Sequence, residues 1–288
     1  MTRKLNKQAG FSIVELMVSL ILGLIISGAV IQMLVGSNVT NALNRAIASS
    51  QENGRFIMSR LRQDLVMVGL YDAFDPNLSQ AVDNVEEGAF VLDHPVALPG
   101  DFSGRATLGS IQGTNGSNDT LVVSLQAERD CRGLKLGYAA NEEFYVVNEY
   151  FVEDNLLKCR GFDGRFLRGQ VAASGHNGHA SYTLLDDVLS FQVAYGISAP
   201  LNGNTVARPV RYIDASELAA AYANNSTVVA IRIAMVLKGE GRVQLDAPFT
   251  YKLLNESSQT APDASVYQAF ETTISLRNMK NLSGGNAI

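Results

Sequence analysis

The sequence predicts an α+β protein in which one long N-terminal helix, apolar in its first half and amphipathic in its second, packs on an antiparallel β-sheet domain. Three observations predict it. Gly10 to Val35 is an apolar run carrying one carboxylate, Glu15. From Gly36 to about Gly69 the apolar residues Leu43, Ile47, Ile57, Leu61, Leu65 and Val68 recur mostly at three-, four- and seven-residue intervals, with charged and amide side chains between them. Beyond residue 118 the pattern changes to short β-branched and aromatic runs broken by Gly, Pro, Asn and Asp, so helix and strands are segregated along the chain.

The first element is long enough to cross a membrane. A hydrocarbon core of about 30 Å needs about 20 apolar residues as helix, and Phe11 to Val35 supplies them. Arg3, Lys4 and Lys7 precede it without an acidic residue, which places the N-terminus in the cytoplasm and the bulk of the chain outside. The small pair Ala9-Gly10 stands before the apolar run, where a secretory signal would carry it after. Processing at Gly10 would therefore leave the hydrophobic segment on the mature protein. Glu15 is the oddity, because an acid inside a spanning helix costs roughly 2.5 to 3.5 kcal/mol on insertion scales. It either snorkels to the interface or meets a partner.

The basic leader, Gly10-Phe11-Ser12, Glu15 four residues beyond the Phe and the long apolar helix together resemble the class III signal of type IV pilins and type II secretion pseudopilins. Three further stretches, ENGRF with LRQDL between Ser50 and Phe74, LSFQVAYG up to Gly196 and FETTISLRN at Phe270 to Asn278, resemble the PilW-type minor pilins, relatives of the J-type minor pseudopilins. The resemblance implies a type IV pilin-like fold. It also implies cleavage between Gly10 and Phe11 by a prepilin peptidase, N-methylation of Phe11, and pairing of Glu15 with the free amine of a neighbouring subunit's first residue. Two such charges attract strongly in a low dielectric and are costly to desolvate singly, so the pair would set register.

The function implied is that of a minor pilin, a structural component of type IV pilus assembly in a priming or tip complex, and not an enzyme. Its partners would be the prepilin peptidase, other minor pilins, the major pilin and the inner membrane. It would sit there as a single-pass protein with its C-terminal domain in the periplasm before entering the pilus. The rival within the class is a type II secretion minor pseudopilin. The rival outside it is a membrane-anchored periplasmic enzyme or binding protein with an uncleaved anchor.

The expected organisation is a leader at 1–10, a transmembrane helix at 11–35, an amphipathic half at 36–70 and a β-rich periplasmic domain at 71–288. A helix from Phe11 to Val68 would be about 85 Å long, ending near Gly69 as its C-terminal cap. Gly23, Gly28, Gly36 and Gly54 either loosen it or serve as close-packing points between helices. Residues 75–118 read as loop, punctuated by Pro95, Pro99 and several glycines. Strands are expected at Thr120 to Leu125, Glu143 to Val152, Phe162 to Val171, within Tyr182 to Ile197, and at Val228 to Lys238, Arg242 to Leu254 and Val266 to Arg277, with a short Ala-rich helix at Ser216 to Asn224 capped by Asp214 or Ser216. In Val228 to Lys238 the face of Val229, Ile231, Ile233, Met235 and Leu237 should lie against the helix.

Net charge and composition narrow the chemistry. The formal charge is −5, from 23 Lys and Arg against 28 Asp and Glu, and three of those cations lie in the leader. That balance argues against nucleic acid as a partner. Cys131 and Cys159 both fall in the exported part, where disulfides persist. Paired, they would contribute about 3 to 4 kcal/mol in the loop-entropy description; unpaired, they are two buried thiols. His176 and His179, with Asp163 or Asp187, are a weak metal set because their spacing lies on a Gly-rich loop, and no metal or cofactor is expected. His94 reads as a loop residue, and Asp119 as a turn residue with too few acids near it for a calcium loop. Glu86-Glu87, Glu142-Glu143 and Asp186-Asp187 read as solvated edges, since consecutive side chains point apart. There is no nucleophile elbow, phosphate-binding loop or dinucleotide fingerprint.

Overall fold

The computed structural model describes residues 10–81, 84–175, 180–200, 208–241 and 243–279. Arg3, Lys4, Lys7, His176 and His179 lie outside the described residues. Helix α1 is continuous over Ile13–Leu65, 53 residues or about 80 Å. It ends earlier than expected, with Val66 as its C-cap and the Val66 N–H donating to the Arg62 carbonyl. Gly69 is not the cap. It holds the next turn, at φ 75°, where its N–H donates to the Ser124 carbonyl at 3.0 Å and a Cβ would stand 2.3 Å from the sulfur of Met279.

The lower half of α1 buries Ala46, Ser50, Gly54, Ile57, Leu61 and Leu65, a stripe at helical spacing. It docks on a body made of two four-stranded antiparallel sheets, where the sequence suggested one. The first contains β1 (Leu121–Ala127), β2 (Phe144–Glu153), β3 (Leu156–Asp163) and β4 (Tyr182–Leu185) in chain order. The second contains β5 (Val188–Ile197), β6 (Arg211–Ile213), β7 (Val228–Lys238) and β10 (Tyr267–Ser275), in the order β10-β7-β5-β6. Between β7 and β10 the chain makes a small hairpin, β8 (Thr250–Tyr251) and β9 (Gln259–Thr260).

One core joins these layers. Ile57, Leu61 and Leu65 of the helix share it with Leu121, Tyr150 and Leu157 of the first sheet and Phe191, Ile231, Ile233, Met235 and Ile274 of the second. The expected apolar face of β7 therefore does meet the helix. Its other face is also covered, because Ala234 and Val236 pack with Leu253, Ala261 and Tyr267, which makes β7 a central strand buried on both sides.

Three local expectations are corrected. Residues 75–118 contain a helix, α2 (Asn84–Asp93), whose Val91 packs with Phe102 and Tyr145. The strand expected over Phe162 to Val171 ends at Asp163, whose carboxylate accepts the Arg165 N–H at 2.8 Å and turns the chain into the short helix α3 (Gly164–Leu167). The strand expected over Arg242 to Leu254 shrinks to Thr250–Tyr251, since Pro248 removes a ladder donor and β10 already occupies the place beside β7. The Ala-rich helix is present as α4 (Leu218–Ala223), entered through a 3-10 turn that Asp214 caps. Cys131 and Cys159 are joined by a disulfide, with Cα atoms 6.3 Å apart.

Candidate processing and assembly site

The chain enters α1 through Gly10, Phe11 and Ser12. Ser12 is extended, and its Oγ accepts the Val14 N–H at 3.2 Å while its carbonyl accepts the Leu16 N–H at 3.1 Å. Serine suits this position because its side-chain oxygen satisfies a donor that has no partner within the helix. The consequence is positional. Helix begins at Ile13, so the Gly10-Phe11 peptide lies outside the helical ladder, with Phe11 81% exposed and open space where a Cβ on Gly10 would stand. Glu15 occupies the first helical turn, where the helix dipole favours a carboxylate, and its side chain is exposed. No other charged residue lies between Gly10 and Asn44.

Above the docked stripe the helix has no covered face. Large apolar side chains from Phe11 to Val39 are exposed all round, Leu24 to 69% and Met33 to 76%. A helix of this kind needs lipid or other helices around it. Two of its hydroxyls are satisfied internally, Ser19 Oγ donating to the Glu15 carbonyl at 2.7 Å and Thr40 Oγ1 to the Gly36 carbonyl at 2.9 Å, as an apolar surrounding demands. The four helix glycines divide by location. Gly23, Gly28 and Gly36 face open space, whereas a Cβ on Gly54 would stand 2.4 Å from the ring of Phe270.

The docked end of α1 is held by polar contacts as well. Arg60 pairs with Asp64 at 3.2 Å and donates through Nη2 to the Cys131 carbonyl at 3.1 Å, and the Tyr150 hydroxyl donates to Asp64 at 3.1 Å. Burial pushes the Asp64 carboxyl above the usual carboxylate range, with Arg60 and Tyr150 opposing. The Arg60 and Asp64 pair is visible in sequence at i,i+4; Tyr150, 86 residues on, is not.

The remaining nominated groups take structural places. Asp119 accepts the Gly113 and Val193 N–H groups, each at 2.7 Å, and ties the 113–119 turn to β5. His94 stacks on Phe90 at 4.8 Å between ring centroids. Glu87 is not a solvated edge: it is fully buried, accepts from Arg165 Nε at 2.6 Å and receives the Tyr71 hydroxyl at 2.8 Å. Arg165, also fully buried, donates further to the Ser79 carbonyl at 2.6 Å. Among the described residues no three His, Cys, Asp or Glu side chains come together as a metal site.

Residues 143–278 match the family described as type IV pilus-assembly protein W, and residues 5–31 match the prokaryotic N-terminal methylation motif. No curated protein matches the chain. Among solved structures it is similar to a type IV-like pilin from Thermus thermophilus, at 12% identity and a TM-score of 0.41, over 82% of this chain and 98% of that one. A methylation motif at the mouth of an exposed apolar helix, and a pilus-assembly domain spanning both sheets, sit in one chain. The chain thus carries the type IV pilus-assembly protein W domain over residues 143–278 behind an N-terminal methylation motif, and its role is that of a minor pilin in type IV pilus assembly.

Proposed function

We propose that a prepilin peptidase cuts this chain between Gly10 and Phe11 at the cytoplasmic face and that Phe11 is then N-methylated. The mature protein waits in the inner membrane with its two-sheet head in the periplasm. It enters the pilus by packing its exposed half-helix among those of the major pilin and other minor pilins, and it performs no catalysis. Residues 11–35 act as the membrane span, 36–70 as the helix half that the head covers in part, and 71–288 as the head.

The observation that carries this reading is the helix itself, buried along one stripe from Ala46 to Leu65 and bare from Phe11 to Val39, with a lone acid one turn inside the bare end. Lipid can cover the apolar side chains but offers Glu15 no counter-charge. A new amine at Phe11 of an adjacent subunit offers one, in a setting where two opposite charges stabilise each other far more than in water.

The test is the mass and N-terminal sequence of the protein purified from membranes, expected to begin at a methylated Phe11. A form starting at Met1 overturns the reading. Gly10→Val should accumulate as a precursor with its leader attached; normal maturation of that variant contradicts the cleavage assignment. Glu15→Ala should insert as well as the wild type or better, yet enter filaments less in direct competition; equal entry removes the pairing role.

A further inference from the structure

The disulfide and the docked end of the helix form one closed circuit. From α1, Arg60 reaches the Cys131 carbonyl at 3.1 Å, the disulfide passes from Cys131 to Cys159, and Cys159 lies directly opposite Tyr150 in the β2–β3 ladder. Tyr150 then returns to the helix through Asp64 at 3.1 Å, and Asp64 pairs with Arg60 at 3.2 Å. Asn148, two residues before Tyr150 and so on the same face of β2, accepts the Cys131 N–H at 3.0 Å. Both cysteines belong to the core that contains Ile57, Leu61 and Leu65 of α1, with Cys159 fully buried and Cys131 5% exposed.

Thiol–disulfide exchange requires a thiolate to reach a sulfur atom, so a bond this enclosed is neither made nor broken while its surroundings stay closed. We propose that the Cys131–Cys159 bond is a latch sealed by the anchor helix, formed before the helix seats and open to reduction only when Arg60 and Asp64 release. Its formation consumes a disulfide of an external protein oxidant. One cysteine thiolate attacks that disulfide to give a mixed disulfide, and the second displaces the oxidant's thiolate. Two protons leave the cysteines, and the oxidant departs as a dithiol. The latch takes from the functional reading only the exported placement that supplies this oxidant. Helix seating thereby becomes conditional on oxidation of the head, and reducibility becomes a measure of seating.

The experiment uses the full chain in detergent micelles, exposed to dithiothreitol and sampled over time with a polyethylene glycol maleimide that retards each reduced chain on a gel. Tyr150→Phe and Arg60→Met, which keeps the apolar stem, should be reduced roughly fivefold faster than the wild type, the factor that one lost hydrogen bond represents. Val147→Ala is the control, since Val147 is fully buried in the separate core of Val91, Phe102 and Tyr145. It should lower the thermal midpoint without hastening reduction. Rates equal across all chains, or rates that simply follow the thermal midpoint with Val147→Ala included, overturn the proposal. A second measurement does not depend on those variants: a chain carrying both Cys131→Ser and Cys159→Ser should be nicked by trypsin at Arg60 and Arg62 at least about tenfold faster, and unchanged cleavage refutes the coupling. Neither assay involves processing, so its failure leaves the pilin reading standing, and a failed processing test leaves the latch standing.

Discussion

Gly54→Ala tests whether the helix seats against the second sheet as closely as described. In a free helix this exchange stabilises by about 1 kcal/mol, because alanine loses less backbone freedom than glycine. Here the new Cβ would stand 2.4 Å from Cε1 and Cζ of Phe270 and 2.7 Å from Cδ1, where ordinary contact begins at 3.4 Å. The ring must retreat by roughly 1 Å, and it is half-buried against the main core. Forcing an extra carbon into packed space costs about 1 to 3 kcal/mol, so the two effects leave a net loss of up to about 2 kcal/mol and no gain. Gly36→Ala, with open space around it, is the matched comparison and should retain the propensity gain. With no tryptophan and 10 tyrosines in the chain, urea unfolding is followed by circular dichroism or tyrosine emission, and an unchanged slope identifies the midpoint shift with stability. Placing both helix variants on a Phe270→Leu background completes the cycle. Coupling of about 1 kcal/mol or more is expected for residue 54 and none for residue 36. A Gly54→Ala chain as stable as Gly36→Ala, or strict additivity with Phe270→Leu, refutes the close approach.

Two other outcomes follow from buried charge. Arg165→Met should destabilise by about 3 to 5 kcal/mol, because Glu87 would remain buried without its cation, and adding Glu87→Gln should recover part of the loss; a double variant less stable than the single one counts against the pairing. The Asp119 carboxyl is raised by burial to about 7 from an unfolded value of 3.8, with the Gly113 and Val193 N–H groups opposing and Glu256 and Asp214 adding to the rise. Between those values the native chain keeps a proton that the unfolded chain has released. Its contribution therefore falls as pH rises from about 4 to about 7, by up to about 4 kcal/mol, and is constant outside that window. Burial raises Asp64, Asp163 and Glu149 as well, so the measurement is the difference between wild type and Asp119→Asn in stability against pH; parallel curves across that window refute the assignment.

The helix was legible because two strong constraints write it into the chain. A membrane demands some twenty apolar residues, and a seated helix demands a stripe, so residues 11–35 and the Ile57, Leu61 and Leu65 series could hardly be read otherwise. Pairing is written more weakly. Alternation marks β2, β5, β7 and β10 as strands, yet nothing local says that β7 lies between β5 and β10 while β2 lies between β1 and β3, and so two sheets read as one. Ladder partners are tertiary facts, as is the fate of Glu87, which looks like half of a solvated acidic pair until Arg165, 78 residues away, comes to meet it. The turn at Asp163 was masked for a related reason: Phe162 and Leu167 suit a strand by composition, and only the carboxylate's bond to the Arg165 N–H shows where the strand stops.

The division of α1 is where sequence and structure bear most directly on assembly. Gly54 has Phe270 against it and Ala46 has Val243 and Val266, whereas Gly28 and Gly36 face open space and the large apolar side chains from Phe11 to Val39 are exposed. At roughly 25 cal/mol per Å² of apolar surface, leaving such a helix in water would oppose any soluble state by tens of kcal/mol, so its cover must come from outside the molecule. Lipid meets that need before assembly, and neighbouring helices can meet it afterwards at little change in apolar contact. Within the bare half one side chain carries a charge, Glu15, and the pairing proposed for it would favour neighbouring helices over lipid. The head can remain folded throughout, because its stripe from Ala46 to Leu65 is already filled by its own sheets and loops.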